Sequence, residues 1–202
     1  LAASYAPELE LAGVAAAAPA TDLATLLRDD GQTGAGKVLA ALALWSWNRV
    51  YEAPLSNLLD EETLSGVNAI AEDCLESLTQ GLVLARREKV INADFLKVDI
   101  TGIEPWRTLF QRNTPTGSQA GVPLYIAQGT KDTAVRPDVT RAYVEDACRA
   151  GTPVRFDPRE GVDHLKIASE SAVAAAQWIA DRFAGTPPVD DCGKLTENGT
   201  SG

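Results

Sequence analysis

Two side chains carry the clearest chemical potential in this sequence, Asp132 and His164. An imidazole near neutral pKa can take up a proton and return it, and a carboxylate can fix its tautomer and stabilise the imidazolium. His164 is the only histidine in 202 residues, which excludes any site needing two imidazoles, including most zinc sites built on His pairs. Taken singly, each residue also has a plainer reading. His164 could be a surface-loop histidine, and Asp132 a turn carboxylate capping the next segment. Asp163 is adjacent to His164 and so is a poorer orienting partner than a residue from a neighbouring strand.

Two other motifs invite chemistry and fail on their surroundings. Gly31-Gln32-Thr33-Gly34-Ala35-Gly36-Lys37 matches the first seven positions of a P-loop. A P-loop needs a buried strand before it and a Ser or Thr after the lysine. Here Arg28, Asp29 and Asp30 precede the loop and Val38 follows it, so a flexible turn before a helix is the better reading. Gly117-Ser118-Gln119-Ala120-Gly121 resembles a nucleophile elbow only loosely: Thr116 and Ala120 stand where glycines are required, and a strand follows where a helix should. We read it as a plain loop.

The elements that would hold Asp132 and His164 follow from the apolar pattern. Val122 to Gln128 reads as a strand leading into Gly129-Thr130-Lys131-Asp132. Pro137 suits the first turn of a helix past Val139, Tyr143 and Ala147 to Gly151. Pro153 to Phe156 reads as a second strand before the loop Glu160-Gly161-Val162-Asp163-His164. A last helix carries Val173, Ala176, Ile179 and Phe183 on one face and ends at Gly185. This alternation predicts a parallel sheet, with both candidates beyond C-terminal strand ends, where such sheets build sites. Upstream, the unbroken apolar run from Leu11 to Pro19 predicts a strand covered on both faces. From Asp22 to about Glu104 the pattern is helical, with Val38, Leu39, Leu42, Trp45 and Val50 in one helix. Leu64, Val67, Ile70, Cys74, Leu75 and Leu78 mark another, after Asp60-Glu61-Glu62.

Composition narrows the partners. With 18 Lys and Arg against 28 Asp and Glu the net charge is −10, and no basic stripe could track nucleic-acid phosphates. No stretch approaches the roughly 20 apolar residues of a membrane span. Cys74, Cys148 and Cys192 show no C-x-x-C spacing. Cys192 lies in a polar tail too poor in apolar residues to bury a thiol, so we take Cys148 with Cys192 as a disulfide, against two free thiols, leaving Cys74 over. Residues 193–202 read as a loose tail, with a glycosylation sequon at Asn198-Gly199-Thr200. The chain holds no Met and opens Leu1-Ala2-Ala3, as expected of a processed or partial chain.

In combination these residues resemble the secretory lipase family, lipase A-like α/β hydrolases. The resemblance rests on Tyr5 to Leu9 leading into Leu11-Ala12-Gly13-Val14-Ala15, on Ala18 to Leu23, on Val122 to Asp132, on Gly161-Val162-Asp163-His164, on Trp178 to Phe183 and on Cys192. It implies an orienting acid at Asp132, a general base at His164, no cofactor, export from the cell, and lipid or ester substrates met at a lipid–water interface. It also implies a partial α/β-hydrolase core carrying a helical cap, divided as residues 1–23 (strand and flanking helix end), 24–105 (cap or lid insert), 106–185 (C-terminal core) and 186–202 (tail). Family members carry the nucleophile elbow and oxyanion-hole donors upstream of the matching segment, so the resemblance implies that this chain alone lacks both and is inactive. Glycines follow the family's catalytic histidine in many bacterial members, whereas Leu165-Lys166 follow here. The expected function is that of the C-terminal portion of a secreted serine lipase or esterase. The alternatives are a noncatalytic acyl-binding fragment and a peptidase of the same fold, which shares the triad.

Overall fold

The computed structural model describes residues 5–72, 91, 95–96, 98–117 and 121–197. Cys74, Leu75 and Leu78 of the predicted helix, Ser118 of the glycine-flanked loop, and the sequon at Asn198 lie outside the described residues. The chain forms two compact units, Leu1–Asp22 with Pro115–Gly202, and Leu23–Thr114.

The first unit is built on three parallel strands, β1 (Val14–Ala17), β2 (Leu124–Gly129) and β3 (Val154–Arg159), in the order β1-β2-β3. Val14 pairs with Leu124, and Leu124 with Val154. All six residues of β2 are buried, as an unbroken apolar run in a central parallel strand requires. β1 departs from expectation. It is shorter than its apolar run and half exposed, because it is the edge strand of the described sheet and pairs on one side only.

Strand alternation sends Leu124 and Ile126 to one face, where they pack with Val154 and with Val144 and Ala147 of the helix Pro137–Arg149. Pro137 opens that helix, where its missing N–H costs nothing, and the chain leaves it through Gly151 at φ 79°. Tyr125 faces the other way, its ring 6.0 Å from that of Trp178 in the long helix His164–Phe183. Its hydroxyl donates to Asp157, which also accepts from Arg159. Burial, then Asp157, pushes the phenol up to about 12.

The long helix reverses the predicted face. Ile167, Ser171 and Trp178 are its buried positions, while Val173 and Phe183 are 84% and 81% exposed and Ile179 is 41% exposed. Both stripes of this alanine-rich helix are apolar, so periodicity could not choose between them. The stripe carrying the indole that reaches Tyr125 is the one that packs.

The tail is not loose over its described part. Asp191 donates its backbone N–H to Val154 (2.8 Å) and receives the Arg155 guanidinium (2.8 Å), and Cys192–Glu197 form a short helix that buries Leu195 against the sheet's apolar face. A disulfide joins Cys148 to Cys192, tying this tail to the end of the helix between β2 and β3.

The second unit is helical, with no strand among the described residues. In chain order, α1 is Leu23–Asp30, α2 Gly34–Tyr51, α3 Glu61–Ala71 and α4 Trp106–Asn113, with a 3-10 turn at Ile100–Gly102 between α3 and α4. Among the described residues, the helices of the first unit continue this numbering as α5 (Pro137–Arg149), α6 (His164–Phe183) and α7 (Cys192–Glu197). Gly31 to Thr33 form the turn between α1 and α2, and Gly34 to Lys37 are the first turn of α2, which Thr33 caps by accepting from Gly36 N. A helix, not a strand, precedes that loop, so it lacks the framework of a phosphate site. Asp60 caps α3 in the same way, accepting from Thr63 N at 2.8 Å. The core gathers Val38, Leu44, Trp47, Val67, Ile70, Trp106 and Phe110. Trp47 stacks on Trp106 at 6.4 Å and meets Phe110 edge-on at 5.0 Å. Trp106, Leu109 and Phe110 of α4 are buried in this core, and the compact unit runs to Thr114.

Candidate functional site

The site belongs to the first unit and begins with a close approach of two loops. Thr130 N donates to Arg159 O and Lys131 N to Val162 O, both at 3.0 Å, and Gly161 N donates to Thr130 Oγ1 at 2.9 Å. Gly129 makes this possible, because a Cβ there would run into the carbonyl oxygen of Val162. The turn after β2 and the loop after β3 are thereby laced along the C-terminal edge of the sheet, bringing Asp132 to His164 although 32 residues separate them.

His164 is not in the loop, as its sequence suggested, but is the first residue of α6. Asp163, in extended conformation, caps that helix by accepting from Lys166 N at 3.1 Å, which ends the loop one residue earlier. The cap occupies Asp163, and the carboxylate that meets the imidazole is Asp132, with Oδ2 2.8 Å from Nδ1. The Asp132 side chain is fully buried, while His164 keeps 34% of its side-chain surface.

Asp132 is held at both oxygens. Oδ1 accepts from the backbone N–H groups of Ala134 (2.9 Å) and Val135 (2.8 Å). Oδ2 accepts from His164 and from the Gln128 amide at 3.2 Å. Burial pushes the carboxyl upward, but the hydrogen bonds from His164, Val135 and Ala134 outweigh it and hold the pKa below the ordinary value. The hydrogen bond to Asp132 raises the His164 pKa; burial opposes this, and the charges of Asp132 and Asp163 add to it. With Nδ1 committed to Asp132, Nε2 is the nitrogen left for proton transfer. Such a pair can act as an oriented general base and then, once protonated, as a general acid.

A family model of secretory lipases matches residues 1–191. The chain belongs to the secretory lipase family. It is 26% identical, over 92% of its length, to a Mycobacterium tuberculosis protein named a probable inactive lipase, and 27% identical over its whole length to the trichothecene C-3 esterase of Fusarium sporotrichioides. It spans under half of either relative, 42% and 48%. Among solved structures, lipase A of Candida antarctica superposes with a TM-score of 0.70 at 17% identity, covering 95% of this chain and 46% of that one. The closed state of that lipase gives 0.68 at 21%, covering 96% and 46%. With its parallel sheet between helices, this secretory lipase chain has the fold of part of an α/β hydrolase.

One residue of the site escaped the sequence reading. In the sequence Gln128 reads only as the end of a strand. The signal was there, since an amide closing the apolar run Leu124-Tyr125-Ile126-Ala127 must either find partners or carry a desolvation cost.

Proposed function

We propose that this chain supplies the acid and base of a secreted serine lipase or esterase, with Asp132 orienting His164. The supporting observation is the 2.8 Å bond between a fully buried carboxylate and Nδ1 of a partly exposed imidazole, held between two laced strand-end loops. In this reading the nucleophilic serine and the oxyanion donors belong to the part of the parent enzyme preceding residue 1. His164 Nε2 takes the serine proton as Oγ attacks the ester carbonyl, then gives it to the departing alkoxide. The acyl-enzyme is released when the same nitrogen takes a proton from a water whose oxygen attacks the acyl carbonyl, and returns it to the departing serine Oγ as the carboxylic acid leaves. The helical unit, Leu23–Thr114, is the cap segment of such an enzyme. No cofactor enters these steps.

The test uses p-nitrophenyl and triacylglycerol substrates. The parent protein should hydrolyse them and lose that activity in His164→Ala, while residues 1–202 alone should be inert. Turnover by the 202-residue chain, abolished by His164→Ala, would overturn the assignment of the nucleophile to a preceding segment. The relative named a probable inactive lipase favours a second reading, an acyl-binding protein without turnover. Fatty-acid binding by the parent, with no covalent labelling by a fluorophosphonate, would select it.

A further inference from the structure

Gln128 is 1% exposed and Thr140 is completely buried, two polar side chains inside the sheet-and-helix core of the first unit. One end of the Gln128 side chain lies among three acceptors: Gly129 O at 3.2 Å, Asp132 Oδ2 at 3.2 Å and Val135 O at 3.1 Å. Only the NH2 group can satisfy such surroundings, and its two hydrogens are shared among the three. The other end, Oε1, accepts from Thr140 Oγ1 at 2.7 Å. The three acceptors therefore fix which way the amide points, at Asp132 and at the turn that carries it, and Thr140, donating to Oε1, braces it there.

We propose that Gln128, braced by Thr140, is a positioning residue that sets the plane of the Asp132 carboxylate toward His164. The turn backbone anchors Oδ1 through Ala134 and Val135. Among the described residues, Gln128 is the only side chain besides His164 to hydrogen-bond Oδ2. Without it, the aim of Oδ2 would be left to the imidazole that it is meant to steer. The assignment rests on His164 being the base of the proposed reaction, but its test needs no substrate.

The single histidine makes the test direct. The imidazole C2 proton of the 202-residue chain is titrated by NMR, on samples with a cooperative thermal transition, in wild type, Thr140→Val, Thr140→Ser and Gln128→Met. Thr140→Val keeps the side-chain shape and removes only the hydroxyl that holds Oε1 of the amide. The wild-type midpoint should lie above the ordinary 6.5. Thr140→Val should lower it by roughly half a pH unit and Gln128→Met by more, and Thr140→Ser should restore it. An unchanged midpoint in folded Thr140→Val would mean the network only braces the turn. A raised one would mean that Gln128 merely drains charge from Asp132. Either overturns the proposal, and if Gln128→Met does not fold, the Thr140 pair decides. Absent ester hydrolysis by the parent would sink the proposed function yet leave these midpoints standing.

Discussion

The two units of this chain solve the same problem with different materials. Among the described residues, the helical unit buries a single polar side chain, Thr63, and its core is a continuous apolar cluster around Trp47, Trp106 and Phe110. The unit with the sheet buries Thr21, Gln128, Asp132, Thr140, Thr152, Ser171 and Asp191. Apolar packing is non-directional and tolerates repacking, whereas a buried hydrogen bond fixes position and orientation and is costly when one partner is lost. The unit that holds the Asp132–His164 pair is the one that carries directional interactions inside. The helical unit has shape to maintain, and its interior asks for little else.

Opposite substitutions should separate the two. Under the proposed function, Asp132→Asn in the parent protein should lower kcat by about 10^4-fold, because the neutral amide would no longer enforce the productive tautomer of His164. The 202-residue chain should keep its fold in the same variant. Trp106→Ala should instead cost about 3 to 5 kcal/mol of stability by emptying the aromatic cluster. Steady-state kinetics and urea denaturation of both variants make the comparison. A stability loss of Trp106 size in Asp132→Asn, without loss of turnover, would break it. Gly129→Ala tests the same contrast through the backbone. A methyl directed at Val162 O should part the laced loops and return the His164 midpoint toward 6.5.

The disulfide is the next largest effect. It closes a separation of 44 residues, so its loss should cost about 3 to 4 kcal/mol. Reduction should also release the tail from β3, where Asp191 donates its backbone N–H to Val154 O and receives the Arg155 guanidinium. The expected readout in Cys192→Ser is faster amide exchange along β3, with the helical unit unchanged. Equal acceleration in both units would show that the first unit does not open alone.

The pH dependence is smaller and follows from two opposite shifts. The Asp132 pKa is depressed in the fold, so its contribution is present above about pH 4 and is lost as pH falls through the folded value. The His164 pKa is raised, so its contribution is complete below about pH 6.5 and is lost as pH rises through the folded value. Stability of the chain should therefore gain from this pair between about pH 4 and 6.5 and decline above that window. Urea midpoints of wild type and His164→Ala should converge as the pH is raised. If the wild-type advantage grew above neutrality, the sign of the coupling would be wrong.

How much of this could be read beforehand depended on whether the deciding interaction was local. β2 was legible because an unbroken apolar run has few other uses, and Pro137 and Asp60 because capping is set by neighbours in sequence. Asp132 and His164 were legible as strand-end residues of the right type, though not the helix start at His164, which depends on Asp163 accepting from Lys166 N. The order of the tail was harder, since Leu195 is buried only after Asp191 and the disulfide bring it to the sheet. Gln128 was legible only as an amide in need of partners, because nothing in a strand pattern says that they are a carboxylate in the following turn and a hydroxyl in the following helix.

The long helix α6 offers the finest contrast, within one element. Trp178 is buried and rests on Tyr125, whereas Val173 and Phe183, of comparable apolar character, stand in solvent. A side chain exposed in both folded and unfolded states has no burial energy to lose. Phe183→Ser and Val173→Ser should each change the stability of the 202-residue chain by no more than about 0.5 kcal/mol, where Trp178→Ala costs about 3 to 5. Urea denaturation of the three variants at one protein concentration ranks them. A loss near 2 kcal/mol from Phe183→Ser would mean that this stripe is covered in solution, and the assignment of the packed face would then have to include both sides of α6.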